Sequence, residues 1–137
     1  EAANRGANDV LADSIGLNIV LPHEQVPNSY MTPDLSFQFH YFALRKMHFL
    51  LRARAVAVFP GGFGTFDETF ELLTLIQTGK IKPMPVLLFG RDFWEDVVDF
   101  KALVKHGVIG EKDLALFRYV DSAEEAWDYI RTFYEED

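Results

Sequence analysis

One stretch limits what this chain can fold into more than any other: residues 55–68, Ala55-Val-Ala-Val-Phe-Pro60-Gly-Gly-Phe-Gly-Thr65-Phe-Asp-Glu68. A short run of Val, Ala and Phe reads as a buried strand. The glycines stop it, and a helical apolar pattern begins at once behind them. Strand, glycine bend and helix together make an anion trap. Glycine lets backbone approach a ligand closely, and the free N–H groups of a helix's first turn carry the positive end of the helix dipole. Phosphate is the obvious guest. The spelling is neither the Walker loop, which ends in Gly-Lys-Ser/Thr, nor the dinucleotide G-x-G-x-x-G. A competing reading needs no ligand: Thr65-Phe-Asp-Glu68 fits the T-x-x-E capping box of an ordinary helix start. Spacing alone leaves both open.

Around this centre the chain alternates strand and helix signals. Residues 1–12 read as the later part of a helix, interrupted near Gly6 and starting without a cap. Residues 14–21 read as a strand ended by Pro22. Residues 22–35, with Pro22, Pro27, Asn28 and Pro33, read as a long loop or lid. Its His23-Glu24 pair has no further ligand at suitable spacing, so a structural hydrogen bond is the better reading than a metal site. A short strand is expected at 36–40 and a helix at 41–53, with Leu44, Met47 and Leu51 on one stripe and Arg45, His48 and Arg52 on one face. Such a basic face is ordinarily solvated, although Arg is the side chain best shaped to hold phosphate or carboxylate in two parallel hydrogen bonds.

Behind the glycines, Phe66, Phe70, Leu73 and Ile76 form one helical stripe. Leu72 and Leu75 add a second apolar edge before Gly79 closes the helix. Residues 86–89 read as a buried strand and 93–104 as one amphipathic helix closed by Lys105-His106-Gly107. A turn at 109–113 precedes a short helical piece and a last strand within 114–120, and Ser122 with Glu125 suits a capping box for the terminal helix. Ala126, Ile130 and Phe133 line that helix's inner face, and the rings of Trp127, Tyr129 and Tyr134 read as packing rather than base-stacking. Alternating strands and helices imply an α/β protein, a Rossmann-like three-layer sandwich with a mostly parallel sheet, as a single domain over residues 1–137. Ligands of such sheets bind at the carboxyl ends of the strands, where residues 60–65 should lie.

Composition narrows the function classes. Thirteen Lys and Arg against 21 Asp and Glu give a net charge of −8, which speaks against a nucleic-acid surface and leaves room for a mononucleotide held by one loop. The sequence has no Cys, so disulfides and thiol catalysis are absent from it, which suits a cytoplasmic protein. No apolar run approaches the length of a membrane span, so no membrane partner is expected.

Pro60-Gly-Gly-Phe-Gly-Thr65-Phe-Asp-Glu68 matches in full the PGGxGTxxE signature of the Lonely-guy (LOG) family, often labelled lysine decarboxylase-like, which the chain therefore resembles. Arg45-Lys46 matches a second motif of the family, an Arg-Lys pair on the preceding helix. The segments 1–7 and 16–28 are also similar to its bacterial members, so the likeness covers essentially the whole chain. The resemblance implies a phosphoribohydrolase, which cleaves the N-glycosidic bond of a cytokinin or purine nucleoside 5′-monophosphate, as an AMP nucleosidase does, to free base and ribose 5-phosphate. In this family a first glycine-rich phosphate loop, preceded by two strands and a helix, stands just before the stretch matched by residues 1–6. The chain is accordingly expected to be the C-terminal part of a longer nucleotide-binding domain.

By the same resemblance Arg45 is a functional residue and the protein is a homodimer joined through the helix after the glycine loop. Lys46 reads as an ion-pair neighbour. A carboxylate at the start of a helix, just past a phosphate loop, can stabilise the positive charge that builds on ribose and can orient or deprotonate the attacking water. Glu68 is the candidate, with Arg45 on the phosphate or ribose and Gly61, Gly62, Gly64 and Thr65 cradling the phosphate. No metal or organic cofactor is expected, and no single Lys has a context that argues for the Schiff base which the decarboxylase label implies. Two other classes stay open: a non-catalytic module that binds AMP-like nucleotides, and a structural dimerisation domain.

Overall fold

The computed structural model describes residues 1–19 and 28–136, arranged as two compact units, 1–52 and 53–137. The His23-Glu24 pair and most of the expected 22–35 loop lie outside the described residues.

In the first unit a helix, α1 (Ala2–Asp9), runs through Gly6 without a break. A glycine within a helix costs about 1 kcal/mol but does not end it. The stop comes at Val10, and Leu11 follows with a φ of 58°, taking the left-handed position that usually goes to glycine. Two parallel strands, β1 (Gly16–Ile19) and β2 (Ser36–Phe39), pair in the register Gly16 to Ser36. Gly16 lies under the Met31 side chain: a Cβ there would fall 1.8 Å from the Met31 sulfur, so that side chain would have to move. Side chains tie the ends together. Asn28 donates to Asn4 and Asn4 to Ser14, while Ser14 N–H donates to Thr32 Oγ1 at 2.9 Å. A helix, α2 (Phe42–Leu50), packs on both strands. It ends before Leu51 and Arg52, so Arg52 does not join Arg45 and His48 on a helical face. Leu44 and Leu51 are exposed rather than a core stripe.

In the second unit three strands, β3 (Val56–Val58), β4 (Val86–Phe89) and β5 (Arg118–Val120), form a parallel sheet in chain order. The register sets Val58 beside Leu88 and Leu88 beside Tyr119. Between β3 and β4 runs α3 (Phe63–Gln77). Between β4 and β5 run α4 (Arg91–Val97), α5 (Phe100–Lys105) and a 3-10 turn, Glu111–Leu116, and α6 (Ala123–Glu135) follows β5. Both crossovers step the same way across the sheet, so right-handedness places their helices on one face and returns α6 to the other. On the α6 side, Leu87 and Val120 pack with Ala126, flanked by Phe89, Tyr129 and Ile130. Strand alternation turns Val86 and Leu88 to the opposite face, and both are buried there too. The second unit thus has the expected α/β architecture, Rossmann-like, with helices on both sides of a parallel sheet.

Four local readings are corrected. The helix expected at 93–104 is two helices. Val98 is extended, and the Asp99 carboxylate accepts a hydrogen bond from Ala102 N–H at 3.0 Å, capping a new start. On α3 the buried line is Thr69, Leu72 and Ile76, while Phe70 is exposed, so the core stripe is turned from the one expected. Leu72, read as part of a second apolar edge, belongs to the buried line itself. Trp127 is 63% exposed and packs in no core, whereas Tyr129 does pack and the Tyr134 hydroxyl donates to the Arg54 carbonyl. Helix ends at glycine are as expected. Gly79, at φ 70°, donates to Ile76 O, and Lys80 N–H donates to Leu75 O.

Candidate functional site

The glycine loop leaves the carboxyl end of β3 and runs straight into α3, whose N-cap is Gly62. The first intrahelical bond is donated by Phe66 N–H to Gly62 O at 3.2 Å. The N–H groups of Phe63, Gly64 and Thr65 therefore have no partner within the helix, and no side chain caps this end. That geometry removes the capping-box reading. Thr65 is the third residue of the helix, not its cap, and Glu68 stands three positions further on, beyond reach of the cap role. The sequence pattern misleads because the helix starts two residues before Thr65, at Phe63.

Each glycine can be asked why it is glycine. Gly61 answers through packing: a Cβ there would lie 2.2 Å from the Thr65 hydroxyl oxygen, which folds back over the Gly61 backbone. Gly62 and Gly64 have no such reason. Neither has a positive φ, and a Cβ at either would meet nothing within 4 Å. Gly64 also sits inside a helix, where glycine is about 1 kcal/mol worse than alanine. Two positions are thus kept bare, facing open space, beside three N–H groups unbonded within their helix.

The neighbouring strand ends converge on the same edge. Gly90, with φ 85°, follows β4, and a Cβ there would lie 3.4 Å from Pro60. Gly90 N–H donates to Val120 O at 3.0 Å, and Arg91 N–H donates to the Asp121 carboxylate at 3.0 Å. The sequence marks Gly90 only as a strand end; its closeness to Pro60 is a tertiary fact that spacing does not carry.

Glu68 is partly buried on α3, four residues from Gly64 and three from Thr65, the spacing that puts side chains on a shared helix face. Helical Cα–Cβ bonds tilt toward the N-terminus, so the Glu68 side chain leaves the backbone in the direction of the glycine turn. Thr69, one residue on, is buried and donates to Thr65 O at 2.7 Å, which holds this first turn in place. Arg45 stands in the first unit on α2. Its Nε donates to the Leu17 carbonyl of β1 at 2.8 Å, and its guanidinium lies 5.2 Å from the centre of the Phe49 ring. The side chain is therefore anchored on strand backbone rather than free in solvent.

Among the described residues no group of three His, Cys, Asp or Glu side chains could hold a metal ion, and no helix is long and apolar enough to cross a membrane. A parallel α/β sheet with a glycine turn at the carboxyl end of one strand defines a Rossmann-like protein. The sequence model of the family described as "Possible lysine decarboxylase" matches residues 1–130. The chain belongs to that family, the LOG-like one. No curated protein matches it. The family's descriptive label implies pyridoxal phosphate, which needs a desolvated lysine for its Schiff base. The residues present do not fit: Lys80, Lys82, Lys101, Lys105 and Lys112 are exposed, and Lys46 is engaged by a neighbour.

Proposed function

We propose that the protein is a hydrolase acting on a nucleoside 5′-monophosphate, an AMP-like purine or cytokinin nucleotide, and releasing the free base and ribose 5-phosphate. The observation that carries this reading is the pair Gly62 and Gly64. They are bare without a packing or backbone reason, next to N–H groups with no helical partner and one turn from the Glu68 carboxylate. The phosphate sits on the backbone of Gly61, Gly62, Gly64 and Thr65, with the Thr65 hydroxyl beneath it. Its ribose then lies toward Glu68. As the C1′–N bond lengthens, positive charge builds on the sugar ring and the carboxylate stabilises it. Glu68 takes a proton from the attacking water as the water oxygen bonds to C1′, the base leaves with the bonding pair and takes up a proton from solvent, and Glu68 returns its own proton to solvent. These steps draw on side chains and backbone of the protein alone.

The test is to incubate the protein with AMP and assay adenine and ribose 5-phosphate. Both products in equal amounts are the expected result. AMP that binds and stays intact would instead make the protein a non-catalytic nucleotide-binding module.

A further inference from the structure

Phe63 is the residue of the glycine turn to which the phosphate cradle gives no role. It is 96% exposed, at the first position of α3, between two glycines that open onto empty space. The other aromatic rings around the turn have found partners. Phe59 stacks on Phe89 with centroids 4.6 Å apart, and Phe66 meets Phe93 and Trp94 at 6.4 and 5.3 Å. As the first residue of α3, Phe63 has a Cα–Cβ bond tilted toward the helix N-terminus, the end at which the N–H groups without a helical partner stand. A phenyl ring held there in water gives up the gain that burial would bring.

We propose that Phe63 stacks on the base of a nucleotide whose phosphate is anchored by the turn, and so selects ligands that carry a planar base over bare sugar phosphates. The inference rests on the phosphate-loop reading above and deepens it. The phenyl ring offers a face and no hydrogen bond, so it discriminates by stacking area: purine ahead of pyrimidine, with little distinction between one purine and another.

The experiment measures dissociation constants of AMP and of ribose 5-phosphate for the wild-type protein, Phe63→Ala and Phe63→Trp, with a melting curve for each. An exposed side chain should leave melting unchanged. Phe63→Ala is expected to weaken AMP by about tenfold, the scale of a lost base–aromatic stack, and to leave ribose 5-phosphate unchanged. Phe63→Trp is expected to keep or tighten AMP. If both ligands weaken together in Phe63→Ala, or AMP is unaffected, the stacking role is overturned while the phosphate loop stands. Wild-type protein that binds neither ligand overturns the loop reading and the Phe63 role with it.

Discussion

Glycines in one turn can serve different ends, and the Pro60-Gly-Gly-Phe-Gly-Thr65 turn separates them. Gly61 makes room for the Thr65 side chain, so Gly61 belongs to the fold. Gly64 makes room for nothing in the protein. Gly64→Ala should therefore raise stability, by up to about 1 kcal/mol, because alanine is the better helix former and no neighbour obstructs its methyl. If the space belongs to a phosphate, the same methyl should weaken AMP binding. The check is a melting curve together with an AMP titration. A variant that is more stable and binds AMP as well as the wild type would show that the space is empty. The glycine-rich turn was legible in the sequence because Gly-Gly-Phe-Gly between a β run and a helical stripe has few other meanings. Thr65-Phe-Asp-Glu68 obeys the capping-box pattern, so spacing leaves that alternative open, and only backbone geometry, with the helix starting at Phe63, removes it.

Among the elements, those carried by strong local signals stood where expected: strand 86–89 between Pro85 and Gly90, and the glycine stops after α3 and α5. The break between α4 and α5 was less legible. An apolar pattern runs on through Trp94, Val97, Val98 and Phe100, and Asp99 overrides it by capping its own helix. Asp99→Ala should cost about 1 kcal/mol in chemical denaturation, and a loss within error would leave the break to Val98. Periodicity also misjudged α3, since its buried line is decided by what packs on it: Leu72 is buried and Phe70 exposed. At the 3-10 turn the Asp113 carboxylate accepts from Gly110 N–H at 2.7 Å and from the Gln77 amide at 2.9 Å. These bonds, the Gly110 one foremost, hold its pKa below the usual carboxylate value. A depressed acid contributes stability that is present above its unfolded pKa, near about 3.9, and lost as pH falls through the folded value. Asp113→Asn should flatten the fall of melting temperature with acid in that window. An unchanged acid limb would mean that the two bonds contribute nothing to it.

For the whole molecule, membership of the family and the α/β class follow from the match over residues 1–130 and from the parallel strands. The proposed hydrolysis rests on the turn and on Glu68. The residues of both are spelled in 60–68; the fold adds that Glu68 lies on α3 at the spacing that shares a helix face with Gly64 and Thr65, and that Gly90 comes close to Pro60 at the strand ends. The central claim is that the Glu68 charge, not its shape, carries hydrolysis. The most direct measurement is the initial rate of adenine release from saturating AMP by wild-type and Glu68→Gln protein, with a melting curve for each. The variant is expected to melt like the wild type and to lose about 100-fold or more in kcat, the scale of a lost electrostatic or acid–base group. A Gln variant that melts normally and keeps most of its rate would contradict the assignment.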